Sequence, residues 1–359
     1  MLPTTPDPTT LVPEGAVVHD RPVSVALTPR PVAESVDELL AGAVRREPFR
    51  PVDARSPTPF ERVEIDGERY VIKHVHVDHD FAMRACGDVD CLPRRAWETG
   101  LMDAAMPWVD HATLAAAYDG RDRLGVALLM EDLTDELIPP TDDPLPEHVH
   151  SSLLDGLAGM SAGFWGWRDD LDLLATARRW EFFSQRTLDA ERELGYPEPV
   201  PRIATEGWAR FTERAPHDIV DAVLELSRDA GPLVAALAGT PTTFVHGDWK
   251  LGNLGHRPSG RTALLDWTYV GEGFVCHELA WYLALNRSRL PVGHTKESTV
   301  ADLRAALERH GVTTDGWWDR QLDVCLLGAL VQFGWEKALG DEAELEWWCQ
   351  RARAGLARL

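Results

Sequence analysis

Three polar residues at set intervals mark the stretch from Val245 to Trp267: Asp248, Asn253, and Asp266 at the end of the run Thr262 to Leu265. Phe244 and Val245 step into a glycine-containing turn, which predicts Asp248 at the start of a loop. A carboxylate held there can orient and deprotonate a hydroxyl, the acid–base part of phosphoryl transfer. Asn253 offers a neutral oxygen and Asp266 a charged one, a hard pair suited to magnesium, which also keeps waters and phosphate oxygens. Pro258, Ser259 and Gly260 form a turn between them that can fold the two ligands together. An aspartate alone in a turn is usually only a turn residue. The three in this order, with an apolar run delivering Asp266, point to a transfer site.

The elements that must position these groups are legible upstream and downstream. Phe60 to Ile65 and Tyr70 to Val75 flank Asp66-Gly67, a hairpin pattern. Lys73 shares a face with Val71 and Val75, an expensive place for an ammonium without an anionic partner. Pro93 to Ala105 reads as one helix with proline early in it, and it carries Glu98, with Asp88 and Asp90 just before. Glu34 to Arg45 is predicted as a short helix from the spacing of Val36, Leu39, Leu40 and Val44. Leu124 to Met130 is an apolar strand leading into Glu131-Asp132. Pro139, Pro140, Pro144 and Pro146 mark a connector, and from His150 onward the apolar residues recur at helical spacing. Those stripes are core positions.

The chain has 359 residues, 44% of them hydrophobic, which suffices for one large or two modest domains. Its 58 acidic against 36 basic residues give a formal charge of -22 and no basic cluster, which argues against nucleic acid as a partner. An acidic cleft would suit a cationic acceptor such as an amino sugar, whereas a bound nucleotide needs a locally basic or metal-loaded site. The five cysteines lack metal-binding spacing and read as free thiols, so a cytoplasmic location is expected. No signal-peptide pattern or membrane-length apolar span is present in the sequence, so no membrane role is expected. Of the 14 tryptophans, several fall near the C-terminus, where indoles pack cores or stack on sugar faces. Trp335 and Glu336 are candidates there for contact with an acceptor.

His246-Gly247-Asp248, Asn253 and Asp266, with the Lys73 strand, resemble the catalytic segment of the aminoglycoside phosphotransferase and choline kinase group, a small-molecule branch of the protein-kinase-like fold. The likeness runs from about Tyr70 to Trp281 and is specific in the lysine strand and in Val245 to Trp267. It implies an α+β two-lobe architecture: a small mixed N-lobe with an antiparallel sheet over residues 31–132 and a mostly helical C-lobe over 133–359. Residues 1–30, rich in proline and threonine, read as an N-terminal extension, a loose tail or an extra edge strand.

The resemblance also implies roles. Asp248 would act on the hydroxyl of a small-molecule acceptor, Lys250 would neutralise the moving phosphoryl group, and His246 would brace the loop. Asn253 and Asp266 would hold Mg2+. Lys73 would grip the phosphates of ATP or GTP, oriented by Glu98, while the backbone from Met130 to Asp132 would meet the base. The sequence departs from the family in two places. No glycine lies between Pro48 and Phe60, which leaves Ser56, Arg55 or Thr58 as candidate phosphate contacts. Phe274-Val275 replaces the usual Asp-Pro, and Glu278 stands where a later aspartate is expected, as a loop anchor or as a contact to a substrate amine. The acceptor expected is an amino sugar, an aminoglycoside or a sugar. A catalytically inactive nucleotide-binding scaffold of the same fold remains the alternative because of the unusual phosphate loop.

Overall fold

The computed structural model describes residues 25–51, 58–120, 122–196 and 199–359. Strands β1 (Val32–Ala33), β2 (Ala43–Phe49), β3 (Phe60–Ile65), β4 (Glu68–Val75), β5 (Val109–His111), β6 (Thr113–Asp119) and β7 (Gly125–Glu131) belong to the first half of the chain. All but β5 form a six-stranded sheet in the order β1-β6-β7-β4-β3-β2. Asp66 and Gly67 both take positive φ, 54° and 83°, which gives the two-residue turn that matches strand twist. Ile65 then faces Glu68, and the register carries Phe60 opposite Lys73. The predicted hairpin and the inward face of Lys73 are both present: Val71, Lys73 and Val75 are all buried.

Two predicted helices are shorter than their sequence pattern. Only Val36–Leu39 is helical (α1), because Gly42 turns the chain at φ 96° into β2, where Val44 is exposed. After α2 (Phe81–Cys86), the segment from Pro93 to Ala105 is split into α3 (Leu92–Glu98) and α4 (Leu101–Ala105). Gly100 breaks it at φ 78°, pressed against the Thr28 backbone where a Cβ would not fit.

The C-lobe is mostly helical. It contains α5 (Glu147–Gly163), α6 (Thr176–Glu181), α7 (Gln185–Leu194), α8 (Pro199–Arg214), α9 (His217–Arg228) and α10 (Gly231–Ala236). Four short strands follow, β8 (Thr243–Val245), β9 (Leu254–His256), β10 (Thr262–Leu264) and β11 (Gly271–Gly273), then α11 (Val275–Asn286), α12 (Lys296–Arg309), α13 (Trp318–Leu339) and α14 (Glu342–Leu356). Helix α13 is buried over most of its length and lies at the centre of the lobe, with Leu326, Leu327, Leu330 and Val331 fully buried. Gly207 of α8 lets the two helices meet closely, since a Cβ there would lie 2.5 Å from the Trp335 carbonyl oxygen. Among the described residues no helix is long and apolar enough to cross a membrane, and all five cysteines are free and buried.

The short strands hold the central segment. β8 pairs antiparallel with β11, so the chain entering and leaving the segment is zipped together. β10 pairs antiparallel with β9 and parallel with β5, which ties it to the N-terminal half. Behind them, buried Arg179 of α6 donates to the carbonyls of Tyr269 (3.0 Å) and Glu272 (2.9 Å). Glu278 of α11 is fully buried and accepts the Gly247 N–H at 2.7 Å. Gly247 sits at φ 81°, and a Cβ on it would meet the Tyr269 carbonyl oxygen at 2.5 Å.

Burial pushes the Glu278 carboxyl up to about 7, against the opposing pull of the Gly247 N–H and the Arg179 guanidinium. Between the ordinary carboxyl range and neutrality the native state therefore keeps a proton that the unfolded chain has lost. Its contribution to stability is largest below that window and falls as pH rises towards about 7. The buried imidazoles of His150, His246 and His277, whose pKa values are lowered, give a slope of opposite sign. The difference between wild type and Glu278→Gln isolates the carboxyl. Urea unfolding from about pH 5 to about pH 7 should show wild type losing about 2 kcal/mol relative to the variant. Parallel stability curves would show that Glu278 does not carry this linkage.

Candidate active site

Asp248 follows β8 in a loop, as its position after Phe244 and Val245 predicts, and its side chain is buried. Oδ2 accepts from Lys250 Nζ (2.8 Å) and Asn253 Nδ2 (2.7 Å). Oδ1 is also buried and has no hydrogen-bond partner among the described residues. Burial raises the pKa of Asp248, with Lys250 opposing and Asp266 adding to the rise. Asn253 ends a short 3-10 turn, Leu251–Asn253, and its amide nitrogen also donates to the Asp248 carbonyl at 3.1 Å. With the nitrogen so committed, the amide oxygen is the group Asn253 has left to offer a cation.

Asp266 lies two residues beyond β10 and takes φ 65°, a left-handed conformation that costs a non-glycine residue about 1–2 kcal/mol. Its side chain is pinned from two directions: Oδ1 accepts from Lys73 Nζ (2.7 Å) and from the Thr268 hydroxyl (2.7 Å). Burial alone would raise its pKa, but the charges of Lys73 and Lys250 and these hydrogen bonds outweigh it, so the carboxylate is held well below its ordinary range. An ionised carboxylate and an available amide oxygen form a donor set that fits a hard divalent cation.

His246 is fully buried, and burial lowers its pKa to about 3, so it is a neutral imidazole. Its Nδ1 accepts the Asp248 N–H at 3.3 Å, and its ring packs edge-on against Trp267 at 5.3 Å. Neither contact places it as a base, and both fit a brace.

Lys73, Met130 and Asp266 line one narrow crevice together with Thr113, Leu128 and Pro93. Met130 is thus close to the lysine. Asp132 turns its side chain to Arg62 (3.7 Å) and to the Thr134 N–H (3.2 Å), which leaves its backbone as the part that can meet a ligand. The Glu131 N–H is donated to the Ala112 carbonyl at 2.9 Å. Arg257 of the turn after β9 reaches Glu131 (2.7 Å) and Asp110 (3.2 Å), fastening that end of β7 to the C-lobe segment.

The expected partnership of Lys73 with Glu98 is not the one observed. Glu98 pairs with Arg94 at 2.6 Å on the partly exposed face of α3, whereas Pro93 is the α3 residue that lines the cleft beside Lys73. The buried carboxylate whose charge acts on Lys73 from the helical side is Asp80, at the N-cap of α2. Burial raises its pKa, Lys73 lowers it and Asp266 raises it further. Asp80 also accepts the N–H groups of Ala82 (2.8 Å) and Met83 (3.2 Å) and the Thr58 hydroxyl (3.2 Å). An aspartate directly before Phe81 is the cap signal that could have found it.

The remaining candidates fall in different places. Ser56 and Arg55 lie outside the described residues, while Thr58 is the buried partner of Asp80. Glu278 has 0% exposure behind the loop, which fits the anchor and not the contact to a substrate amine. Trp335 packs into an aromatic cluster with Phe183 at 5.0 Å, and Glu336 pairs with Lys337 at 2.6 Å. Thr268, Arg179 and Asn286 carried no sequence signal. Asn286, at the end of α11, accepts the Leu251 N–H at 3.0 Å and so supports the 3-10 turn that ends in Asn253.

The family model of the phosphotransferase enzyme family matches residues 62–315. No curated protein matches the chain. Similar solved structures include the choline kinase LicA from Streptococcus pneumoniae, 13% identical, covering 90% of this chain and 98% of that one with a TM-score of 0.45. A second is an aminoglycoside phosphotransferase from Alicyclobacillus acidocaldarius, 17% identical, covering 89% and 90% with a TM-score of 0.39. LicA in complex with AMP gives a TM-score of 0.50 at 12% identity over 90% of this chain and 98% of that one. The match spans both the lysine strand and the segment of Asp248, Asn253 and Asp266, and this chain belongs to the phosphotransferase enzyme family.

Proposed function

We propose that the protein is a kinase of small molecules that moves the γ-phosphoryl group of ATP or GTP to a hydroxyl of an amino sugar, an aminoglycoside or a sugar. The observation that carries this reading is the asymmetric Asp248 carboxylate, with Oδ2 held by Lys250 and Asn253 and Oδ1 buried without a partner among the described residues. A buried acceptor atom without a donor is costly, and an incoming hydroxyl supplies that donor.

In this reading the hydroxyl donates to Asp248 Oδ1 and its oxygen attacks the γ-phosphorus as the bond to the β-phosphate oxygen breaks. Asp248 takes the hydroxyl proton, helped by the upward push that burial gives its pKa. Lys250 stands beside the same carboxylate, where its charge offsets the negative charge gathering on the moving group. Lys73 grips the non-transferred phosphates, and its ion pair with Asp266 holds it in place. Asn253 and Asp266 would hold Mg2+, which when bound neutralises phosphate oxygens and fixes their orientation. The base of the nucleotide would meet the backbone of the segment from Met130 to Asp132.

Magnesium-dependent ADP release across amino sugars, aminoglycosides, neutral sugars and choline-like alcohols tests the reaction class. At least one acceptor should stimulate wild type, and Asp248→Asn should lower that kcat about 10²–10⁴-fold. Nucleotide binding with no stimulated release from any acceptor would count against the proposal and favour a scaffold. Asp266→Ala should be as damaging as the loss of Asp248, and near wild-type turnover with saturating magnesium and ATP would remove it from the metal site. His246→Gln should keep most of its turnover, since a brace needs only an acceptor for the Asp248 N–H; a loss equal to that of Asp248→Asn would make it a participant.

A further inference from the structure

On the side of α11 that carries Tyr282, three groups from three separate elements converge. His150 comes from the first turn of α5, His294 from the loop before α12, and Asp302 from α12 itself. One ligand atom from each lies within 4.8 Å of the others. The His150 and His294 rings stand 5.4 Å apart at 73°, and His294 Nε2 is 3.8 Å from Asp302 Oδ2.

The state of His150 gives this convergence its meaning. The residue is 1% exposed, its Nδ1 is hydrogen-bonded to the Tyr282 hydroxyl at 2.9 Å, and its Nε2 is buried with no partner among the described residues. A buried ring nitrogen left in this way costs free energy unless something occupies it. An imidazole with one nitrogen fixed by a hydroxyl and the other left for an ion, close to a second imidazole and a carboxylate, matches the way proteins orient a metal-bound histidine.

We propose that His150, His294 and Asp302 form a binding site for a divalent transition metal ion of the zinc class. Two imidazoles and one carboxylate are ligands that zinc accepts in a tetrahedral set, with a water in the fourth position. Tetrahedral bonds of ~2 Å bring ligand atoms to about 3.3 Å from one another. Asp302 is exposed and His294 half-buried, so rotation of these two side chains on the fixed His150 supplies the closure from the observed spread. The hard oxygen pair at Asn253 and Asp266 prefers magnesium, so the two sites differ in the ion they select.

The ion would tie α5, α12 and the loop from Pro291 to Thr295 onto α11. Tyr282, the partner of His150, is linked through its carbonyl to Asn286 Nδ2 at 2.9 Å, and Asn286 holds the Leu251 N–H. The site therefore stands behind the loop of Asp248 as a structural clasp.

Chelator-treated protein in excess magnesium, titrated with zinc against a chromophoric chelator, should take up one equivalent that raises the unfolding temperature. His294→Gln and Asp302→Asn should each weaken uptake at least tenfold and abolish the temperature shift while leaving the apo circular dichroism unchanged. These two residues lie outside the core, so the test stands even if His150→Gln does not fold. Absence of stoichiometric uptake, or uptake that either variant leaves unchanged, overturns the site.

Discussion

The ion pair between Lys73 and Asp266 joins residues 193 positions apart, and it is the constraint to which both halves of the site answer. Each partner comes from a place where a charge is difficult to keep. Lys73 sits on the inward face of a strand between buried valines, and Asp266 takes a backbone conformation that non-glycine residues avoid. Apart from the Thr268 hydroxyl on Asp266, the support of each comes from the other. The ordinary requirement that a buried charge be paired thus fixes the relation of the sheet to the segment from β8 to β11.

Around that pair, the rigidity of Asp248 comes from behind. Glu278, Arg179 and Asn286 all bond to the backbone of the segment and not to its side chains. Backbone groups are satisfied by the core, and the side chains bond among themselves, Asp248 to Asn253 and Lys250 and Asp266 to Lys73, with Asp248 Oδ1 left over. This division suits a reaction in which the protein contributes position and field more than covalent chemistry. It also accounts for the buried polar atoms on α6 and α11, which would be a burden in a lobe built only for stability.

What the sequence made legible was local. Asp248 after an apolar step, Asp266 after an apolar run, Lys73 on the inner face of a hairpin and the long C-terminal helices all follow from periodicity and turn chemistry. Helix length was less legible, because Gly42 and Gly100 act through positive φ and a tertiary close approach that a one-dimensional pattern does not show. The partner of Lys73 was harder still. The resemblance favoured Glu98, but α3 turns that residue towards Arg94, and the carboxylates near Lys73 are Asp266, far along the chain, and Asp80, the cap of a different helix. Arg179 and Asn286 had no signature at all, since their targets are carbonyls and amides distant in sequence.

The parallel pairing of β5 with β10 bears on how the two halves can move. Val109, Asp110 and His111 are registered with Thr262, Ala263 and Leu264, so a piece of the first half of the chain is laced directly to the strand that delivers Asp266. Separating the lobes along that edge would break a hydrogen-bonded ladder in a buried place. Any opening that admits a nucleotide and releases a product must instead pivot about it, like a door hung on that side. In such a pivot β2 and β3, at the far edge of the six-stranded sheet, would travel farthest.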